Sequence, residues 1–358
     1  MRQEKRETDE ERKRSVVFDL LGGYSLPSGT FWILSALAYG FIRKEPSQTE
    51  EWIDVLASHV ERPDLARTWQ AHCRDLRMLS YCEPEKVSAF LILLFTKYPA
   101  VRDSRFGVRL ILDLRNFLGE NAVEAFCVQY AASDWPMGKQ VAGELYGISF
   151  LAEDGFGFAN DYVRGVMDSD SPADSSTLKG VAFSVANLWK ETQIQESATE
   201  LFECLAKRNC DQVNKALCDV FLFDRFVPNK NSKRILQSVE RFPDLVRQTS
   251  AYHFAEMLEL FVTSIPEAVL NLSSVLLDQL EASREDEFRR NFDLADAALT
   301  SISMTLQRMN HDLRRKGLDL FERLLKIGFT STSETIKELD SRPVTINSVR
   351  RRRRRRKS

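Results

Sequence analysis

Apolar residues recur along this chain at the spacing of an α-helix, and prolines cut the helical runs into short lengths. Val213, Ala216, Leu217, Val220 and Phe221 fall at i, i+3, i+4, i+7 and i+8. Phe254, Met257, Leu258 and Phe261 repeat the pattern; Leu313, Leu320, Phe321, Leu324 and Leu325 repeat it with one gap. Residues so spaced share one helix face, and that face must be buried against another element. In the first half the same reading predicts helices over 52–59, 65–78, 85–97, 106–118 and 123–132.

The breaks carry a common signature. Arg62-Pro63-Asp64-Leu65-Ala66, Phe242-Pro243-Asp244-Leu245-Val246 and Ile265-Pro266-Glu267-Ala268-Val269 each place an acid and two apolar residues after a proline. Proline suits the first turn of a helix, where its missing N–H has no partner in any case. The acid complements the positive end of the helix dipole. Helices joined by such short turns lie antiparallel to their neighbours. The expected fold is therefore all-α, with antiparallel helical hairpins stacked as in a HEAT-like α-solenoid, where each pair buries its face against the next. No fixed period of tetratricopeptide or ankyrin type runs through the chain, and a compact pair of irregular helical domains is the competing arrangement. The alternating segment 344–349 finds no partner run and reads as an extended lead into the C-terminus.

A chain of 358 residues exceeds the roughly 250–300 residues at which a single core stops growing, so two domains or a quasi-linear array are required. Its 15 glycines and 11 prolines are too few for a sandwich with a turn every ten or so residues. The organisation expected is a charged lead-in helix at 1–14, an N-terminal helical array at 15–167, a linker at 168–176, a C-terminal HEAT-like array at 177–342 and an extended, disordered basic tail at 343–358. Further linkers are expected at 152–158 and 228–233. The apolar part of the uncharged stretch 20–42 is only 31–42, too short for a membrane span of about 20 residues. Residues 1–14 have mixed charge, unlike a signal peptide. The chain is expected to be soluble and cytoplasmic, with no membrane partner.

The search for chemistry is short. Nothing fits GxxxxGK[ST], and Gly155-Phe156-Gly157 is followed by Asn160 where a dinucleotide fingerprint needs its third glycine. Gly143 and Gly147 have the spacing of a close helix–helix crossing. His59, His72, His253 and His311 are never four residues apart, and Cys204, Cys210 and Cys218 lack the CxxC pairing of zinc sites. Cys127 and Cys218 sit in apolar patterns, where cysteine acts as a small hydrophobe. Asp168, Asp170 and Asp174 suggest a calcium loop, but Ala173 and Lys179 stand where glycine and glutamate are needed. Phe117, Phe126, Phe202, Phe221 and Phe321 are expected in the core. Lys230, Lys233 and Arg234 form a small basic cluster without the interleaved aromatics of a single-strand platform. No catalytic residue, cofactor or metal is expected.

The net charge of −2 hides a divided chain. Arg350, Arg351, Arg352, Arg353, Arg354, Arg355, Arg356 and Lys357 are eight consecutive cations, which leaves −10 on the rest. Such a run cannot bury apolar surface; it offers charge to phosphate or to acidic protein. It reads equally as a phosphate-binding arm or as a solubilising tail that docks on its own acidic body.

Arg314-Arg315-Lys316-Gly317-Leu318-Asp319-Leu320-Phe321-Glu322-Arg323-Leu324-Leu325 has the form of the second helix of a HEAT-type repeat. Ile327-Gly328 and a final helix ending Leu339-Asp340-Ser341-Arg342-Pro343 follow it. With the basic terminus, this segment resembles the C-terminal helical arrays of large bacterial NTPases of the anti-phage defence type. The resemblance spans about the last 60–150 residues and implies an array that senses or holds a partner while a separate ATPase does the work. On it, the chain would be a sensor-like subunit or the remnant of a split gene. The function expected is a non-enzymatic scaffold or sensor whose helical surface binds a protein partner; the alternative is a nucleic-acid accessory protein acting through the tail.

Overall fold

The computed structural model describes residues 49–61, 69, 73, 76, 79–80, 82–152, 155–168, 174–189, 191–222, 226–282 and 286–327, with 49–52, 55, 105, 280, 282 and 286–294 in backbone only. Among them the regular structure is helical, and the fold is all-α. By contacts the chain divides into two compact units, 1–141 and 142–358. The linker expected at 168–176 thus lies inside the second unit. The lead-in at 1–14, the apolar stretch 31–42, the copy of the proline–acid signature at Pro63 and the tail at 343–358 lie outside the described residues.

In the first unit the helices are α1 (Thr49–Val60), α2 (Pro84–Lys97), α3 (Pro99–Arg102), α4 (Arg105–Leu118) and α5 (Glu120–Ala131). Pro84 and Pro99 each open a helix, as the proline argument requires. Ser104 caps α4 by accepting from the Gly107 amide at 3.0 Å. Between α4 and α5 stands the single residue Gly119, whose φ of 79° lies in the left-handed region that glycine enters without cost. Apolar faces meet in order: α1 on α2, α2 on α3 and α4, α4 on α5. Phe95 and Phe126, fully buried, pack edge to face with ring centres 5.6 Å apart. Tyr130 is buried in α5 and donates its hydroxyl to the Arg102 carbonyl at 2.8 Å, which ties α5 to the end of α3.

The boundary between units falls within α6 (Gly138–Leu151). In the second unit α7 (Gly157–Asp168), α8 (Ser175–Leu188), α9 (Gln195–Lys207), α10 (Asp211–Cys218), α11 (Lys230–Arg241), α12 (Ala251–Phe261), α13 (Pro266–Ala282), α14 (Asp286–Gln307) and α15 (His311–Ile327) follow. Each packs chiefly on helices one or two places along. α8 meets α9 and α10, α9 meets α10 and α11, α11 meets α13, α12 meets α13 and α14, and α13 and α14 both meet α15. An aromatic chain runs through this core. Trp189 packs on Phe226 at 5.6 Å, Phe226 on Phe221 at 5.2 Å and on Phe261 at 5.7 Å, and Phe221 on Phe254 at 5.1 Å.

Local chemistry sets the element ends, and in places it corrects the sequence reading. Pro266 opens α13, but Pro243 opens a 3-10 turn, Pro243–Gln248, and the α-helix begins only at Ala251. That turn packs on α10, α11 and α13, with Leu245 and Val246 buried, so tertiary contact holds it short of a full helix. The periodic run from Val213 leaves α-geometry at Cys218 and continues as the 3-10 turn Asp219–Leu222. Residues 228–233 are no linker. Asn229 accepts from the Ser232 amide at 2.8 Å and donates its own amide to Ser232 Oγ at 2.9 Å, a reciprocal cap that starts α11. Asp174, weighed as a calcium ligand, caps α8 by accepting from the amides of Ser176 and Thr177. Of the expected core residues, Phe117 and Phe321 are only half-buried, and Leu325 is exposed.

The Gly143 and Gly147 spacing is a close crossing of α6 and α8. A Cβ at position 143 would stand 1.9 Å from the Thr177 carbonyl oxygen; one at 147 would stand 2.7 Å from Ser184 Cβ. Ser184 Oγ donates to the Glu144 carbonyl at 2.8 Å across the same crossing. Gly143→Ala and Gly147→Ala are expected to lower stability by about 1–3 kcal/mol through overpacking. Gly165→Ala on α7, where an added Cβ meets nothing within 4 Å, is expected to raise it by about 0.5–1 kcal/mol. Urea midpoints of the three variants check both signs.

Candidate functional site

Polar side chains link α9 to α11, α11 to α13 and α13 to α15. On α9, Glu196 and Glu203 are seven residues apart and so lie near one face. Both meet α11: Arg234 Nε and Nη2 donate to the two Glu203 oxygens at 3.0 and 2.8 Å, and its Nη1 donates to Glu196. Lys230 adds a longer pair to Glu196 at 3.6 Å. Glu240 on α11 accepts from Asn271 of α13 at 2.6 Å. Lys316 of α15 pairs with Glu267 of α13 at 3.2 Å, and Arg323 with Asp278 at 2.6 Å and Glu281 at 3.2 Å. At each of these ties the acceptor is on the earlier helix and the donor on the later one.

In these ties the carboxylates outnumber the cations, since Glu240 meets the neutral amide of Asn271 and Arg323 serves both Asp278 and Glu281. The guanidinium of Arg234 is held above its usual range first by its hydrogen bonding to Glu203; burial opposes the rise, and the Glu203 and Glu196 charges and the hydrogen bond to Glu196 add to it. Two members of the basic cluster read from the sequence, Lys230 and Arg234, are thus engaged by carboxylates of α9. The three residues Lys230, Lys233 and Arg234 lie at the start of α11, which Asn229 caps, and the charges of Lys230 and Arg234 are met by carboxylates there.

Five other perturbed groups point to packing. Burial is the largest cause of each of five shifts: it lowers Arg115, raises Asp219 against the pull of Lys215, and raises the Cys127 and Cys218 thiols and the Tyr130 hydroxyl. Buried thiols of raised pKa are poor nucleophiles. Cys218 donates to the Leu245 carbonyl at 3.1 Å and fills core space, as its apolar context implies. All six cysteines are free thiols, with Cys73, Cys82, Cys127 and Cys218 buried. His59 and His253 each face a neighbouring serine hydroxyl, Ser58 at 3.1 Å and Ser250 at 3.0 Å, while His311 opens α15 and His72 lies outside the described residues. No group of three or more His, Cys, Asp or Glu among the described residues is arranged to hold a metal. No helix among them is long and apolar enough to cross a membrane.

The residues nominated for phosphate or acidic surfaces, Arg350 to Lys357, lie outside the described residues. What sequence reasoning missed is the set of cross-helix ties. Their acids and bases are 31 to 49 residues apart, and no local spacing announces them.

The bidentate pair of Arg234 should matter more than its exposed neighbours. Arg234→Gln is expected to cost about 1 kcal/mol, since the group is only partly shielded from water. The difference from the parent chain should shrink in about 1 M salt. Lys230→Gln, whose side chain is 79% exposed, should change stability by less than about 0.5 kcal/mol. Denaturant titrations at low and high salt read all three.

Comparison of the chain with known protein families, with curated proteins and with solved structures found no match.

Proposed function

We propose that this protein is a non-enzymatic interaction scaffold whose helices 8–15 form a HEAT-like stack of antiparallel hairpins. The observation that carries the reading is the contact order of the second unit. Most helices meet the next helix or the next but one, with the turn Asp219–Leu222 standing between α10 and α12, and such an order suits a two-layer array. In that reading α8, α10, α12 and α14 form one layer, and α9, α11, α13 and α15 the other. The second layer is laced by the polar ties of Arg234, Asn271, Lys316 and Arg323. A stack of this type presents a long mixed-charge face, which suits a protein partner better than a small molecule. The resemblance of 314–325 to the arrays of defence-type NTPases fits the same picture: the array holds or senses, and any chemistry belongs to the partner.

A second reading rests on eight consecutive cations in a chain whose remainder carries −10. Through residues 350–357 the protein would bind nucleic-acid phosphate without regard to sequence.

Two measurements test these readings. Assays of the full chain with nucleotide, nuclease and hydrolase substrates should show no turnover that a point substitution abolishes; such turnover would replace the scaffold with an enzyme. Duplex binding titrated with salt should show a log–log slope approaching roughly −7 if all eight charges neutralise phosphates. Removal of 350–358 should then abolish that binding, whereas unchanged affinity rules out the tail.

A further inference from the structure

The faces of α15 are unequally engaged. Toward α13, Lys316 pairs with Glu267, and Arg323 pairs with Asp278 and Glu281. Toward α14, a Cβ at Gly317 would stand 2.9 Å from Leu306 Cβ, and the Gly317 carbonyl accepts from Ser303 Oγ at 2.9 Å. Leu313, Leu320 and Leu324 are buried. The remaining face carries Leu318 and Leu325, 43% and 48% exposed, with the half-buried Phe321 at its edge. Asp319, Glu322 and Lys326 are exposed on the same side. Among the described residues, none of these three charges is held in an ion pair, whereas Asp312, Lys316 and Arg323 all are.

Leu318 and Leu325 are two helical turns apart and lie nearly in line. Asp319 and Lys326 each follow one of the leucines by a single residue, so they form a second row about 100° around the helix. The two rows flank one strip of surface, with Glu322 between them. A two-fold axis perpendicular to α15, at the level of Glu322, turns this strip end for end and keeps each row on its own side. Leu318 of one copy then lies level with Leu325 of the other, and Asp319 with Lys326, each to within about one residue. Leucine meets leucine and acid meets base, and the symmetry repeats both contacts. One contact opposes the rest: Glu322 comes level with Glu322 of the other copy. The strip is also small. A helix of 17 residues, about 26 Å long, offers less than the roughly 800 Å² per partner of a standard interface, so the pair is weak.

We propose that α15 pairs antiparallel with α15 of a second copy of this chain, Leu318 on Leu325 and Asp319 on Lys326. The association is reversible and uses a face of α15 other than the one tied to α13. It rests on how α15 packs against α13 and α14, and not on the stacked reading of the second unit. A scaffold paired in this way offers its partner two copies of one surface, which raises avidity without a new contact.

Sedimentation equilibrium of the full chain, from about 5 µM to about 1 mM, tests the pairing. The weight-average mass should rise from monomer toward dimer across that range. Leu318→Gln combined with Leu325→Gln should weaken the pair about ten-fold or more. Asp319→Lys and Lys326→Asp should each weaken it about three- to ten-fold, by setting like charges against each other. An equimolar mixture of those two variants should associate to within about two-fold of the parent, because each then supplies the charge the other lacks. Glu322→Gln should tighten the pair about three-fold. Thermal melts of all these variants should match the parent, since the substituted side chains are exposed. Should the leucine variant melt early, the charge mixture decides alone. A monomer at every concentration overturns the proposal. So does a dimer that survives the leucine substitutions in a folded chain, or a mixture that associates no better than its components.

Discussion

A helix of 11 to 17 residues bearing an apolar stripe, such as α12 or α13, does not hold its shape alone in water. Nucleation costs more than its own hydrogen bonds return over so few turns, and stability comes from covering the stripe. In the second unit that covering comes from close along the chain. Phe202 and Leu205 of α9, Leu217 of α10, Leu236 of α11 and Phe254 and Leu258 of α12 are all wholly buried. The helices that cover them lie chiefly one or two places away. The 3-10 turn Pro243–Gln248 takes part in that covering, packed on α10, α11 and α13.

Two devices tune how closely neighbours approach. Where backbones must nearly touch, as at Gly143 and Gly147 against Thr177 and Ser184, the side chain is removed altogether. Where helices meet at their edges, long charged side chains bridge them, as Arg234 does to Glu203 and Arg323 to Asp278. The first device is governed by steric exclusion and is insensitive to salt. The second acts through charge in partly hydrated surroundings, and it adds modest stability while fixing which helix faces which. It also settles the electrostatic character of the face. Its cations have carboxylate partners, as Lys230 and Arg234 of α11 have in Glu196 and Glu203 of α9. A protein partner of mixed charge fits such a face better than a polyanion.

Much of the helical content was legible because periodicity is a local property. The expected 85–97 and 106–118 correspond to Pro84–Lys97 and Arg105–Leu118 within a residue. The errors share a cause. Residues 228–233 read as a linker because Pro, Asn and Ser are linker residues, yet Asn and Ser are also what a reciprocal helix cap requires. Asp174 read as part of a linker for the same reason, since an aspartate serves a solvated connection or a helix N-terminus equally well. Leu325 fits the apolar period but lies on the side of α15 away from its two covering helices, and period alone does not say how wide the covering is. Of the candidate sites, the cationic run 350–357 was visible at once, being contiguous, whereas the ties of α9, α11, α13 and α15 were not.

By itself, then, the sequence determined that the described part of this protein is built of helices, and for runs such as 85–97 and 106–118 where they start and stop. Those outcomes depend on side chains within a turn or two of one another. Only the tertiary structure decided that the turn at Pro243 stays 3-10, that Gly143 and Gly147 serve a crossing with α8, and that Arg234 belongs to Glu203. Those outcomes depend on groups brought together from tens of residues apart, and the packing of the chain, rather than any local spacing, selects which of many possible partners meet.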